Sequence, residues 1–181
     1  MPEAVLPVLV GEDSGQVLED VEVEFPEPAL ELGKIEKHVE IDRCEVIPGK
    51  VIVIGRVVKN IPFKTQSSNH CRRPEGRRTR VICGDLRHCT AFIPFKLFIE
   101  IPGAEEGDRC EVVEACVLGE VDTLVDENGD GCFERLEETI DIHVRVRVIR
   151  DTVMNVCAAR KPIRRKVRFQ PDRHHKRCCC R

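Results

Sequence analysis

Apolar and polar residues alternate over long stretches of this chain, and this period of two constrains its fold more than any other feature. In IDIHVRVRV, residues 140–148, every second side chain is Ile or Val, and the side chains between them are charged or histidine. Because successive side chains of a β-strand point to opposite faces, this pattern is typical of a half-buried strand. Residues 17–25 end in the same alternation. VIVIGRVV, residues 51–58, is more continuous, as expected of a strand covered on both faces.

The chain is therefore predicted to be all-β, a sandwich or partly closed barrel of about seven to nine strands within residues 17–150. Trp and Tyr are absent, so the core must be built mainly from Val, Ile and Leu, a composition that favours strands. In AFIPFKLFIEI, residues 91–101, Pro94 has no N–H to donate to a central ladder and predicts a bulge or an edge position. Residues 27–41 fit a short helix or a strand equally well.

Three segments look unlike a core: an extended N-terminal arm of residues 1–16, a basic polar loop of residues 65–78, and a basic tail of residues 159–181. The chain is accordingly divided into the arm, a β domain of residues 17–158 and the Cys-rich tail. The tail carries a net charge of +9 and the rest of the chain −12. Because Phe169 is the tail's one aromatic residue, a base-stacking platform is missing and no specific nucleic-acid partner is expected. The acidic body of a neighbouring copy is a nearer partner for the tail.

The cysteine count conflicts with the expected site of synthesis. No apolar run approaches the roughly 20 residues of a membrane span, so no membrane insertion is expected. The first residues lack the features of a secretory signal, which predicts synthesis in the cytoplasm. Yet 11 cysteines are present, and persistent disulfides belong to oxidising compartments. The two observations agree if the protein is made reduced and meets oxidant later, when the cell that made it lyses.

Most of the cysteines are scattered singly, and no C-x-x-C pair suggests a structural zinc site. These single cysteines are interpreted mainly as small apolar core or surface residues. Cys178, Cys179 and Cys180 differ, because they are adjacent and neighbouring Arg and Lys favour the reactive thiolate. We expect them to form intermolecular disulfides, together with Cys71 on the basic loop. Metal capture by the thiols with His174 and His175, or no dedicated role, are the alternatives. The scattered cysteines are Cys44, Cys71, Cys83, Cys89, Cys110, Cys116, Cys132 and Cys157.

The segment DENGDGCFERLE, residues 126–137, matches the spacing of a calcium-binding loop. Asp126, Asn128, Asp130 and Glu137 fall at positions 1, 3, 5 and 12 of that loop. However, the flanks alternate with period two instead of forming the helices of an EF-hand. The alternative is a hairpin tip whose Asp, Asn and Gly residues serve turn geometry.

Catalytic motifs are missing from the sequence. Asp85 and His88 lie near Cys89, but adjacent residues of a strand point to opposite faces and cannot pair as nucleophile and base. No Gly-rich phosphate loop, G-x-S-x-G or H-E-x-x-H motif occurs. The sequence therefore predicts a protein without enzymatic activity or a cofactor, calcium excepted.

The order of these segments resembles the SPOCS-domain family of spore-forming bacteria over nearly all of residues 5–150. The most telling stretches are VIPGKVIVIGRV, residues 46–57, and PFKLFIEIPGAEEGD, residues 94–108. In these, Gly49 and Gly103 suit turns, Gly55 permits close backbone approach or a bulge, and Phe95 and Phe98 are expected to pack in the core. The family's best-known member carries SPOCS modules before a LysM domain, whereas this chain has one module and nothing like LysM. The resemblance implies a structural role in sporulation and expression in the mother-cell cytoplasm.

Together these features predict a self-associating spore-coat or spore-envelope component that disulfides cross-link at the spore surface. One alternative is a fibre subunit whose arm residues Ala4 to Val10 add as a strand to the next subunit. Another is a module that binds calcium or a polyanion. The expected partners are copies of the same chain and other coat proteins.

Overall fold

The protein is described by a computed structural model that covers residues 3–66 and 84–155. All regular structure in these residues is β-strand, which confirms the all-β prediction. Every strand pair is antiparallel. The six strands are β1 (Glu3–Leu32), β2 (Glu36–Ile47), β3 (Lys50–Gln66), β4 (Gly84–Glu100), β5 (Arg109–Val125) and β6 (Phe133–Asn155). They are fewer and longer than the seven to nine strands predicted from the sequence.

Bulges explain the length of β1. This strand pairs with β6 from Glu3 to Glu24, shifts register, and then pairs with β3 through Ala29 to Leu32. A bulge bends a strand without ending it, so one strand serves where the sequence suggested two. The segment of residues 27–41, which fitted a helix or a strand, forms the end of β1, a short connection and the start of β2.

The six strands form one continuous sheet that folds over on itself around two clusters of buried apolar side chains. We call β5, β6 and β1 the first layer and β2, β3 and β4 the second. The pairing path runs β2-β3-β1-β6-β5 with β4 on the other side of β3, and β1 links the two layers, as in a partly closed barrel. Valines of β3 and apolar residues of β4 pack against β6. The predicted alternation of residues 140–148 is confirmed, since its five apolar side chains are all fully buried: Ile140, Ile142, Val144, Val146 and Val148.

The second layer departs from expectation on its outer face. Val51, Val53 and Val57 of β3 are fully buried, but the alternate residues Ile52 and Ile54 are only half-buried, because no further layer covers them in the described residues. The stretch predicted to be covered on both faces is thus covered on one. On β4 the prediction of a core position is confirmed for Phe95, but it was wrong for Phe98, which is exposed because it lies on this outer face. Among the described residues β4 pairs only with β3, so the edge position predicted from Pro94 is confirmed.

Glycines close the turns at one end of the sandwich. Gly49 and Gly103 have φ angles of 75° and 90°, a region that glycine adopts without steric cost. The loop after β4 is held by Arg150 of β6, which donates to both carboxylate oxygens of Asp108 at 2.7 and 2.8 Å. This contact holds the pKa of Asp108 below its ordinary value. Arg150 also donates to the Gly103 carbonyl.

Residues 3–16, predicted as an arm, form the first part of β1 and pair with β6 of the same chain. Most of the basic loop and all of the tail lie outside the described residues. Within the described ranges, no helix has the length and apolar character needed to cross a bilayer.

Candidate functional site

The residues predicted to cross-link, Cys71 and Cys178, Cys179 and Cys180, lie outside the described residues. Among the described cysteines, Cys44 of β2 and Cys110 of β5 form a disulfide with Cα atoms 6.0 Å apart. Because β2 and β5 lie in different layers, this bond ties the two layers together. Cys44 and Cys110 are thus two scattered cysteines that are paired, whereas the sequence analysis interpreted most of these cysteines as core or surface residues. Spacing could not reveal the pair, since 66 residues separate the two positions.

The remaining described cysteines are free thiols: Cys89, Cys116 and Cys132. Burial raises the pKa of Cys89. Burial also raises the pKa of Cys132, and the nearby Asp130 carboxylate adds to the effect. Because the thiolate is the nucleophile, a raised pKa makes these two thiols poor participants in disulfide exchange.

The one Cys-His juxtaposition suggested by the sequence has no catalytic geometry. His88 is exposed on the outer face of β4, whereas the Sγ atom of Cys89 turns inward and lies 4.0 Å from the Ile61 carbonyl oxygen. The two side chains thus point to opposite faces of the strand, as expected from their adjacency.

The predicted calcium loop forms the tip of the β5–β6 hairpin. Asp126 accepts backbone hydrogen bonds from Gly129 at 2.6 Å and Gly131 at 2.8 Å, and these hold the pKa of Asp126 below its ordinary value. Gly129 and Gly131 have positive φ angles. Carboxylate oxygens of Asp126, Asp130 and Glu134 lie within 4.8 Å of one another.

Two of the four predicted calcium ligands, Asp126 and Asp130, are therefore brought together. Asn128 donates its amide to Glu134 at 2.7 Å, and Glu137 lies along β6, where it accepts from Arg135 at 3.2 Å. The turn hydrogen bonds already use the carboxylates that a calcium ion would need. The tip holds its shape with its own donors, and calcium binding stays a prediction.

A cluster of four charged residues joins β2, β3, β5 and β6. Lys59 of β3 and Glu138 of β6 are buried at its centre, whereas Lys37 and Glu120 are partly exposed. The Nζ atom of Lys59 donates to Glu138 of β6 at 2.5 Å and to Glu120 of β5 at 3.0 Å, and Lys37 of β2 also pairs with Glu120. Burial acts to lower the pKa of Lys59, but the two carboxylates outweigh it and raise the pKa above its ordinary value. The two positive and two negative charges balance.

Glu138 is the member of this cluster whose hydrogen bonding is incomplete. Its Oε2 atom is buried and has no hydrogen-bond partner among the described residues. Burial raises the pKa of Glu138, and the hydrogen bond from Lys59 offsets this only in part. In Glu120 the balance between burial and hydrogen bonding is the opposite. Burial acts to raise its pKa, but hydrogen bonds from Lys37 and Lys59 outweigh burial and lower the pKa.

The sequence carries a signal for this cluster that motif spacing alone does not reveal. Lys59 continues the two-residue spacing of Val51, Val53 and Val57, so it falls on the buried face of β3. Glu138 precedes Ile140 by two residues and falls on the buried face of β6 in the same way. A charged residue that continues a buried alternation predicts a buried partner of opposite charge.

The outer face of the first layer carries an open acidic hollow of about 400 Å³. Three of its carboxylates are already engaged, since Arg135 contacts Glu22 at 3.1 Å and Glu137 at 3.2 Å, and Thr139 donates to Asp20 at 2.7 Å. The fourth is Glu138, whose Oε2 atom has no hydrogen-bond partner among the described residues. Val121 and Thr123 of β5 complete the wall. In the described residues this hollow brings no nucleophile and base together.

Comparison with known proteins identifies the central part of the chain. Residues 29–117 match the family model described as SipL, SPOCS domain. These residues are similar to the SPOCS domain. The resemblance drawn from the sequence is thereby confirmed over this segment. The matched segment contains the whole second layer, β2, β3 and β4, and ends within β5. The rest of β5, all of β6 and residues 3–28 of β1 complete the sandwich around it.

One curated relative is Exosporium protein C of Clostridium sporogenes (strain ATCC 15579), which is 28% identical over 110 residues. The alignment covers 54% of this chain and 37% of that protein, so the chain spans well under half of its relative's length. No solved structure matches the chain.

Proposed function

We propose that this protein is a structural, non-enzymatic component of the spore surface that associates with copies of itself and is then fixed by intermolecular disulfides. The observation that carries the proposal is the similarity of residues 29–117 to the SPOCS domain. The likeness to an exosporium protein supports the same location. Synthesis in the mother-cell cytoplasm and exposure after lysis follow from this role.

The architecture supports a scaffold. A disulfide links the layers, and a balanced charge cluster links β2, β3, β5 and β6. Such a domain resists unfolding in an oxidising exterior, where a coat or envelope component must persist. The described residues supply no catalytic pairing that would favour an enzyme.

The cross-linking part of the proposal rests on Cys178, Cys179 and Cys180 with Cys71. Each lies in a basic stretch of sequence, and nearby positive charge favours the thiolate that exchanges disulfides. The described thiols Cys89 and Cys132 have raised pKa values and make poor competitors. Disulfide exchange should therefore involve the cysteines of the basic segments in preference to Cys89 and Cys132.

The test is a comparison of spore extracts on reducing and non-reducing gels, with alkylation and mass spectrometry of mature spores. We expect high-mass species that collapse on reduction, and loss of those species when Cys178, Cys179 and Cys180 are replaced by Ser. Cys116→Ser is the matched control and should leave the ladder unchanged. Alkylated, unpaired tail cysteines in mature spores would contradict the cross-linking.

The fibre alternative requires residues 4–10 to give up their pairing within their own chain. Residues 4–9 pair with residues 149–154 of β6, so donation of this strand to another subunit has to replace that pairing. Such an exchange is a domain swap, which is open to test by mixing labelled and unlabelled subunits. Subunits that trade strands would show a slow appearance of mixed species.

Calcium binding at the hairpin tip is a second candidate, favoured by the proximity of Asp126, Asp130 and Glu134. Titration with calcium while the amide shifts of residues 126–137 are followed tests it. Saturable shifts in the tip, lost in Asp130→Asn, are the expected result of a site. Unchanged shifts would leave the acidic residues with their turn role alone.

A further inference from the structure

The outer face of the second layer is apolar where a solvated sheet face should be polar. Phe92 and Phe98 of β4 are each 62% exposed, and the neighbouring Ile52, Ile54 and Val58 of β3 are only half-buried. We call this surface the β3–β4 face. One face of an antiparallel sheet in water normally carries polar side chains, and contiguous apolar surface marks an interaction site. By contrast, the outer face of β6 carries the polar side chains that are usual for a solvated sheet, including Asp141, Arg145 and Arg147.

The charged side chains of the β3–β4 face are mostly paired. The Nζ atom of Lys50 lies 4.9 Å from the Phe98 ring centre and 3.9 Å from Glu100. The Arg56 guanidinium lies 5.8 Å from the Phe92 ring centre and donates to Glu40 at 2.9 Å. Lys96 is exposed between the two rings on β4 and has no ion-pair partner among the described residues. In a symmetric contact of two copies centred on this part of the face, Lys96 of each copy would lie near Lys96 of the other, and like charges opposite one another disfavour such a contact.

A second exposed apolar surface lies at one end of the sandwich, where residues 3–9 of β1 pair with residues 149–155 of β6. We call it the terminal ribbon. β5 pairs with β6 only as far as Ile149, so beyond it the ribbon has two strands in the described chain. An isolated two-stranded ribbon is marginally stable in water and needs a surface to pack against. Its large apolar side chains are nevertheless exposed: Val5 64%, Leu9 58% and Val153 63% on one face, and Leu6 42%, Val8 39% and Met154 46% on the other.

The unpaired charges of the terminal ribbon are opposite in sign to the unpaired charge of the β3–β4 face. Glu3 and Asp151 are exposed on the ribbon, on the same face as Val5 and Val153. Arg150, the basic residue of the ribbon, is already held by Asp108. The ribbon thus offers apolar side chains with free carboxylates, and the β3–β4 face offers apolar side chains with the unpaired Lys96.

We propose that the terminal ribbon of one copy docks on the β3–β4 face of the next copy. This inference rests on the proposed function, in that it supplies the surfaces through which the chain associates with itself. The ribbon stays paired in its own chain and docks through side chains, so no strand is donated. Because the two surfaces differ, the contact is head-to-tail and leaves a free ribbon and a free face at the ends. A contact of this kind generates an open assembly, unless its rotation closes a ring.

The test uses the full chain with Cys71, Cys178, Cys179 and Cys180 replaced by Ser, so that only non-covalent contacts act and the Cys44–Cys110 bond stays intact. A ribbon variant carries Val5→Gln and Leu9→Gln. A face variant carries Phe92→Gln and Phe98→Gln. Sedimentation velocity over a concentration series measures association, and circular dichroism checks that each variant is folded.

The background chain should form oligomers, and each variant alone should lose association by roughly thirtyfold or more, since buried aromatic and aliphatic anchors dominate interfaces. An equimolar mixture of the two variants should form one-to-one dimers and nothing larger, because one intact ribbon and one intact face remain. The control Leu18→Gln with Val121→Gln removes two side chains that are 67% and 69% exposed elsewhere, and should associate like the background.

If either variant alone associated as strongly as the background chain, the surface changed in that variant would not be needed for the contact. That result would overturn the proposal. A mixture that stays monomeric, or a control that also loses association, would overturn it as well. A background chain that is monomeric would overturn the docking and leave the disulfide cross-linking to its own gel test. Conversely, free tail thiols in spores alongside the mixed dimers would overturn the cross-linking and keep the docking.

Discussion

Gly55 of β3 lies where the surrounding atoms leave no room for a side chain. A Cβ atom built there would lie 2.5 Å from the Glu40 carbonyl oxygen and 2.8 Å from a ring carbon of Phe95. Neither neighbour can move freely, since one is backbone and the other is a core ring. We expect Gly55→Ala to lower the free energy of unfolding by about 1–3 kcal/mol, the usual cost of overpacking. Chemical denaturation measures the change.

Gly119 of β5 is the matched control for that substitution. It also lies in a strand, but nothing is within 4 Å of its Cβ position. Gly119→Ala should change the free energy of unfolding by less than about 0.5 kcal/mol, as surface substitutions usually do. Equal effects at both positions would show that strand propensity, not the contact with Phe95, decides the cost.

Lys59 should be the most sensitive member of the buried cluster. In Lys59→Met the Glu138 carboxylate loses its one hydrogen-bond donor and stays buried, which costs about 3–5 kcal/mol at neutral pH. The double variant Lys59→Met with Glu138→Leu removes both charges and should recover most of that loss. Urea unfolding of the two variants at pH 7 measures the difference, and a double variant as unstable as the single one would contradict it.

The cost of Lys59→Met should also depend on pH. The pKa of Glu138 is already raised above its ordinary value of 4.5, and loss of Lys59 raises it further. A carboxyl group with a raised pKa in the folded state stabilises that state when protonated. Its contribution is complete below pH 4.5 and is lost as the pH rises through the folded-state value. The variant's deficit should therefore be small near pH 4 and grow towards pH 7, whereas a pH-independent deficit would indicate lost packing alone.

At the scale of elements, the Cys44–Cys110 bond is expected to be the main link between β2 and β5. It closes a loop of 66 residues, for which loop entropy predicts a stabilisation of roughly 4 kcal/mol. Cys44→Ala with Cys110→Ala should lower the denaturation midpoint to the value that the wild-type chain shows in reductant. The midpoint of the double variant itself should not respond to reductant, and Cys116→Ala should behave like wild type.

The strands were largely predictable from the sequence, and their partners were not. The alternation of residues 140–148 and the edge role of Pro94 depend on side chains that are local in sequence. The bulges of β1 and the Cys44–Cys110 pair depend on residues far apart in the chain, for which alternation carries no information. At the hairpin tip the turn chemistry was readable, but the direction of Glu137 depended on how far β6 extends.

For the whole molecule, deletion of residues 1–16 should disrupt the fold. These residues form the strand that pairs with the C-terminal half of β6, and Val10 packs against the core. The shortened chain should unfold with little cooperativity and bind apolar dyes. The ribbon variant, Val5→Gln with Leu9→Gln, changes only exposed side chains and should unfold like the full chain. A cooperative transition in the deletion would show that the arm is dispensable for folding.

The pairing of β1 with β6 also decides when the chain is able to fold. Glu3 lies opposite Asn155, so the first of the described strands completes its ladder only with the last of them. Contacts of such long sequence separation have to close a large loop before they stabilise the fold, which makes folding slow. In a nascent chain β1 would therefore stay unpaired until β6 has been synthesised, and a chaperone that covers its apolar side chains would protect it during that time.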